Sequence, residues 1–340
     1  KESEEGSFMQ QGFWNVGIRK RMKATLRASA AVAAVALAFT AAPLTGYAVR
    51  IEPAAQEGVT SNIFGSAGNQ SEFYRQISQA ITQGQESLTI TLDQPVSDQE
   101  EFIELCRQAV YQARRDYPES FLSNHTEFVY YYNESGYYQV TFSFRYLDLT
   151  DEQKQAMFAT VDSIVAQARA QTGGDTVGML RYFQQALCER AEYDFAAARS
   201  DSDHYPNSYH AYGALMEGKS VCQGYAYAFK LLCDKAQIPC WIVTGTYGDE
   251  PHAWNYVWVN NNYYLVDVTW DDANNRPADS AFFLAGRDHA ANYHVEDNCA
   301  PGTLAARSYS ETGTTVIRRA RQQTNQEESS SRTLAGAAKG

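Results

Sequence analysis

Residues 252–270 restrict the fold of this chain more than any other stretch. His-Ala-Trp-Asn-Tyr-Val-Trp-Val (252–259) alternates as a half-buried strand does, and Asn-Tyr-Tyr-Leu-Val-Asp-Val-Thr-Trp (262–270) reads as a second strand. Asn260-Asn261 between them suits a two-residue type I′ turn, in which both residues take positive φ. That turn pairs Val259 with Asn262. In this register Trp254 lies opposite Asp267, with His252 one diagonal step away on the same face. A slip of one residue would carry Asp267 to the other face. The turn chemistry and a His252–Asp267 hydrogen bond therefore require the same pairing.

A cysteine precedes this hairpin in a context that suits an activated thiol. Ser220-Val-Cys-Gln223 reads as a capping box, with Ser220 as cap and Gln223 reaching back. Tyr225, Ala228, Phe229, Leu232 and Ala236 then recur at helical spacing, and Ile238-Pro239 ends the run. Cys222 is thus expected in the first turn, where free backbone N–H groups and the helix dipole favour a thiolate. The same N–H groups, that of Cys222 first, could bind an oxyanion. Cys222, His252 and Asp267 together form a nucleophile, a proton carrier and an orienting carboxylate. A lone buried cysteine, a turn histidine and an edge-strand carboxylate are each common; their joint fit to one helix and one hairpin is not.

The constellation resembles the transglutaminase-like superfamily. The resemblance rests on a Cys opening a helix (Val-Cys-Gln-Gly-Tyr-Ala), a His252-Ala-Trp strand and an Asp267-Val-Thr strand, in that order, over roughly residues 175–295. It takes in the helical segment Gly178 to Tyr193 and Tyr209-His-Ala-Tyr-Gly-Ala-Leu215, and the wording looks like the secreted bacterial branch. It implies an α+β papain/transglutaminase-like core, with Cys on a helix N-terminus and His and Asp on adjacent antiparallel strands. It also implies a thiol enzyme acting on amide bonds of proteins or peptides through a thioester, resolved by an amine or by water. Tyr209 and Tyr212, ahead of the Cys loop, are further oxyanion candidates. Members of the family include crosslinkers, peptidases, deglycosylating amidases and inactive scaffolds. A non-catalytic scaffold or envelope-binding protein, and another Cys-His-Asp enzyme such as a glycopeptide amidase or acetyltransferase, are the alternatives.

The rest of the chain reads as that of an exported protein. Residues 22–48 have a basic start (Met22 to Arg27), an apolar run (Ala28 to Phe39) and small residues at Gly46 and Ala48, so cleavage before Val49 is expected. The apolar run is short of the ~20 residues a spanning helix needs, and an uncleaved N-terminal anchor is the other reading. Residues 1–21 read as upstream sequence outside the fold. Setting aside the six Lys/Arg and three Asp/Glu of residues 1–48 moves the net charge from −12 to −15. Such acidity argues against nucleic acid or an anionic membrane as partner. The expected partner is a protein or peptide substrate, of the cell envelope among others. Of the six cysteines, five accompany Cys222 and show no metal-site spacing, and neither a metal nor a cofactor is expected. No disulfide is assigned.

The expected organisation is a linker over 49–70, a small α/β module over 71–150, a connecting helix over 151–172, a catalytic domain over 173–317 and a disordered tail over 318–340. Within the module, Leu88–Leu92 reads as a strand. Ser97-Asp-Gln-Glu100 reads as a capping box opening a helix to about Asp116. Residues 127–133 and 137–147 read as a hairpin around Glu134-Ser-Gly136. Thr150-Asp-Glu-Gln153 caps the next helix and Gly173-Gly174 stops it. Tyr138, Val140, Phe142, Phe144 and Tyr146 alternate as one buried face, which outweighs a sugar-stacking role. Asp271-Asp272-Ala-Asn-Asn275 with Asp279 lacks EF-hand spacing and reads as a solvated turn rather than a calcium site. His289 and His294 read as loop residues.

Overall fold

The computed structural model describes residues 45–51, 67–273, 281–296 and 299–310. The elements in chain order are β1 (Thr45–Ile51), α1 (Ala67–Thr82), β2 (Ser87–Val96), α2 (Gln99–Asp116), β3 (Leu122–Asn133), β4 (Gly136–Tyr146), α3 (Asp151–Thr172), α4 (Thr176–Arg190), β5 (Glu192–Tyr193) and α5 (Phe195–Ala198). A π-helical turn, Gly213–Glu217, precedes β6 (Lys219–Ser220), α6 (Cys222–Ala236), β7 (Cys240–Tyr247), β8 (Glu250–Val259), β9 (Asn262–Val266), α7 (Val268–Ala273), β10 (Phe283–Ala285) and β11 (Tyr293–Val295). The two larger sheets are antiparallel with helices packed against them, an α+β arrangement, and β5 and β6 form a short parallel pair.

The first sheet is antiparallel in the order β1-β3-β4-β2. Its buried positions alternate along β4, at Val140, Phe142 and Phe144, because successive side chains of a strand point to opposite faces. These residues pack with Phe73, Ile77 and Ile81 of α1 and Phe102 of α2. The rings meet edge-on, Phe73 against Phe102 and Phe142 at centroid distances of 6.5 Å. Three readings of this half need correction. The cap of α2 is Asp98, which accepts from Glu101 N–H at 2.9 Å, so the helix starts one residue later than a Ser97 cap would place it. Residues 45–51, in the span read as leader and linker, form β1 and pair with β3 from Thr45↔Tyr132 to Ile51↔Thr126, across the position expected for cleavage. The helix α1 begins within the expected linker. Residues 1–44 and 311–340, which include most of the leader and all of the expected tail, lie outside the described residues.

The α3 helix opens on the reciprocal capping box of Thr150 and Gln153 and closes on Gly173 in the left-handed region. It packs beside α4 and α6. Val161, Ile164, Phe183, Leu187, Tyr225 and Phe229 of these helices share one core with Val257 and Val266 of the second sheet. Each large side chain buried there contributes roughly 1.5–3 kcal/mol. The second sheet is antiparallel in the order β10-β9-β8-β7-β11. Odd-numbered residues of β8, Ala253, Val257 and Val259, join the large core, whereas Trp254 and Tyr256 join an outer cluster with Leu265 and Tyr293. None of the described helices is long and apolar enough to cross a membrane.

Candidate active site

The hairpin has the expected turn. Asn260 and Asn261 both take positive φ, 48° and 67°, and the ladder runs from Val259↔Asn262 to Asn255↔Val266. It ends one step before Trp254 and Asp267, so the second strand is shorter than the alternation of 262–270 suggests. At Asp267 the chain leaves the sheet and enters α7. Its Oδ1 accepts the N–H groups of Thr269 (3.1 Å) and Trp270 (3.3 Å), which is the bonding of a helix cap. The other oxygen, Oδ2, lies 2.6 Å from His252 Nε2. His252 thus occupies β8 and Asp267 the junction that follows β9, and the two are hydrogen-bonded.

Cys222 is the first residue of α6 and lies beside the same imidazole, close enough for its charge to favour the protonated ring. With Nε2 taken by Asp267, Nδ1 is the ring atom left for the thiol. The capping box expected ahead of Cys222 is absent. The helix starts at Cys222, so Val221 occupies the cap position and makes no side-chain cap bond. Ser220 sits in β6, where its hydroxyl donates to the carbonyl of Ser208 at 3.2 Å. Gln223 turns the other way: its Nε2 donates to Tyr209 O (2.8 Å) and to Asn124 Oδ1 (2.9 Å) of β3. The first-turn N–H groups of α6 are therefore free of side-chain caps. Gly224 is required by close approach, since a Cβ there would lie 2.6 Å from Ser208 O and 2.8 Å from His210 O.

Burial opposes a charge on His252, but the Asp267 carboxylate, through its charge and hydrogen bond, and then Cys222 outweigh it and push the imidazole up to about 10. Four aromatic rings surround it. Trp254 stacks at 5.9 Å and 22°, Trp270 lies at 5.6 Å, and Tyr247 and Tyr293 each at 6.3 Å. Ring faces attract a cation, so this enclosure favours imidazolium and excludes water. The Tyr293 hydroxyl also donates to Asp267 Oδ2, at 2.7 Å. At neutral pH the group is arranged as an imidazolium between a carboxylate and a thiol, able to donate a proton beside a nucleophile.

The other sequence candidates are placed as follows. The Tyr209 hydroxyl donates to Ala197 O at 3.1 Å, and burial, with Cys222 nearby, holds it above the usual phenol range. Tyr212 packs in the large core. Neither tyrosine hydroxyl is drawn by a hydrogen bond toward Cys222. Asp271 and Asp272 lie in α7 instead of a solvated turn: Asp271 is buried, and Asp272 accepts from Tyr225 Oη at 2.5 Å. Asn274, Asn275 and Asp279 lie outside the described residues. His289 is exposed, 2.9 Å from Ser308 Oγ, and His294 is part of β11 rather than a loop. All six thiols are free. Among the described residues no group of three or more His, Cys, Asp or Glu is arranged to hold a metal ion.

Tyr193, Tyr247, Trp270, Tyr293 and the Gln223–Asn124 pair were not among the candidates. Tyr193 lies close enough to Cys222 and Asp267 that, after burial, their charges help raise its phenol. Trp270 had a local signal, three residues beyond Asp267. Gln223 neighbours Cys222 in α6, but its partner Asn124 and the three tyrosines come from separate strands.

A family model described as the transglutaminase-like superfamily matches residues 161–268. Among curated proteins, the kyphoscoliosis peptidases of Homo sapiens and Mus musculus are 31% and 30% identical over 96 residues. That stretch is 25% of this chain and spans only 14% of the length of either relative. A solved TGase structure superposes with a TM-score of 0.33 at 13% identity, over 54% of this chain and 50% of that one.

Proposed function

We propose that this chain, whose residues 161–268 belong to the transglutaminase-like superfamily, is a cysteine enzyme that cleaves or transfers amide acyl groups of proteins or peptides. One observation carries the reading. A buried imidazole is joined to Asp267 at 2.6 Å and lies beside a thiol at the start of a helix.

In the proposed reaction the Cys222 thiolate attacks an amide carbonyl. The oxyanion is met by first-turn N–H groups of α6, which are fixed before the reaction and carry the positive end of the helix dipole. His252, as imidazolium, gives its Nδ1 proton to the departing amine, and the acyl group stays on Cys222 as a thioester. The neutral imidazole then takes a proton from water or from a second amine as that nucleophile attacks the thioester. The thiolate leaves, and the imidazolium is restored. Asp267 holds His252 in the tautomer this needs. The name of the curated relatives favours water as the second nucleophile. The basic start and apolar run of residues 22–39 support a site of action outside the cytoplasm, and the N-terminal mass of the exported protein tests that part and tells whether β1 is kept whole.

The test is to incubate the protein with envelope and model peptides, quench in acid, and identify the adduct on Cys222 by mass spectrometry. A thioester on Cys222 is expected, and Cys222→Ala should lose both adduct and turnover. Amide turnover that survives Cys222→Ala would overturn the proposal in favour of a scaffold or a different centre.

A further inference from the structure

Asp267 accepts four hydrogen bonds. Three come from the hairpin and the helix that follows it: Thr269 and Trp270 N–H on Oδ1, and His252 on Oδ2. The fourth comes from outside. Tyr293, 26 residues downstream, donates to Oδ2 at 2.7 Å, on the same oxygen that holds His252. It is carried by β11, a three-residue strand at the edge of the sheet.

This edge strand is firmly seated. Tyr293 pairs with Tyr247, Gly248 N–H donates to Asn292 O (2.8 Å), and Glu296 N–H donates to Thr244 O (2.9 Å). Gly245 is a glycine because a Cβ there would run into His294 O and lie 3.0 Å from Glu296 N. The Tyr293 ring rests on Tyr247 at 4.9 Å and Trp254 at 5.0 Å. Its hydroxyl is thus aimed at the carboxylate by packing on both sides.

We propose that Tyr293 is a positioning residue for the reaction: by sharing Asp267 Oδ2 with His252 it fixes the carboxylate's angle and limits its hold on the imidazolium. The inference rests on the thiol-enzyme reading above. Two donors on one oxygen divide its negative charge. Without Tyr293 that oxygen faces His252 alone. The imidazolium is then held more tightly, and the carboxylate is free to rotate about the bonds that Thr269 and Trp270 make to its partner oxygen. Both changes slow delivery of a proton to the departing amine. The other titratable groups here are Asp271 and Tyr247 facing Tyr293 from α7 and β7, Tyr193 and Glu250 from β5 and β8, and Cys222 from α6.

Tyr293→Phe keeps the ring and its packing and removes one oxygen. In the full chain kcat should fall about tenfold or more, the worth of a hydrogen bond to a charged group. KM should stay the same, and the alkaline limb of the kcat profile should move to higher pH. Proton NMR of the His252 Nε2–H gives a readout independent of turnover: its downfield resonance should shift in Tyr293→Phe. Placing 3-fluorotyrosine at 293 strengthens the donor and should move the alkaline limb the opposite way, in a protein whose packing is nearly unchanged. If Tyr293→Phe leaves kcat, the pH limb and the His252 resonance as they were, the inference is overturned. If the resonance moves but Cys222→Ala still turns over amides, the enzyme reading fails while the Tyr293–Asp267–His252 link stands.

Discussion

Replacing Asp267 with Asn keeps the side chain's size and removes its charge. In the native site burial works against a charged His252, and Asp267 is the chief reason the imidazole nevertheless reaches about 10. In Asp267→Asn the burial remains and the main opposing cause is lost, so the imidazole falls to or below its ordinary value of 6.5. At a pH of about 7.5 the ring then goes from almost wholly protonated to about a tenth protonated or less. The amide also offers an N–H where the ring needs an acceptor, which favours the wrong tautomer. A loss in kcat on the order of 10³–10⁴ is expected, as in other triads. Stability changes in the same sense. A histidine whose value is raised on folding contributes stability that is fully present below 6.5 and is lost as pH climbs to about 10. Native stability should therefore fall across that window by on the order of a few kcal/mol, and Asp267→Asn should flatten the decline. Histidine NMR titration, amide turnover, and urea melts from pH 6 to 10 measure the three effects. An unchanged His252 titration in Asp267→Asn would refute the electrostatic argument, whatever happens to turnover.

Three further substitutions probe the same region. Cys222→Ala should abolish turnover and site-selective labelling at a stability cost of about 1 kcal/mol, because it removes a single sulfur from the edge of the large core and keeps the Cβ; a large loss on thermal melting would make the cysteine structural instead. Gly224→Ala should cost roughly 1–3 kcal/mol and slow Cys222 alkylation, since the new Cβ has to displace the Ser208 and His210 carbonyls; a native-like urea melt would show that the first turn yields easily. Asn124→Ala leaves the Gln223 amide one partner short and should cost about 1 kcal/mol; if Asn124 links the two halves of the molecule through this pair, the double variant with Gln223→Ala, which also loses the bond to Tyr209 O, will lose less than the sum of the two single losses.

The features legible in the sequence were those whose chemistry is local. Asn260-Asn261 carries its own positive φ, so the turn and the register of β8 and β9 follow from two side chains. Thr150 and Gln153 cap α3 because no tertiary partner competes for them. Ser220 and Gln223 present a very similar pattern, yet Ser208 and Asn124 take their side chains, and the box does not form. The end of β9 was obscured for a related reason. Alternation continues through Val268 and Trp270, but Asp267 also prefers a helix cap, and its Oδ1 satisfies two N–H groups only if the chain turns. The α1 helix had a readable apolar face, Phe73, Ile77 and Ile81 at helical spacing, inside a stretch dominated by Gln and Ser. Nothing near Tyr293 marks it out, because its acceptor lies 26 residues earlier and its strand is three residues long. The aromatic residues around His252 had the same disadvantage: each reads alone as a strand-face residue, and the enclosure exists only once β7, β8, α7 and β11 meet. Reactive residues with a characteristic neighbour can therefore be read from one segment of chain. The groups that set their charge, arriving singly from other strands, require the assembled sheet.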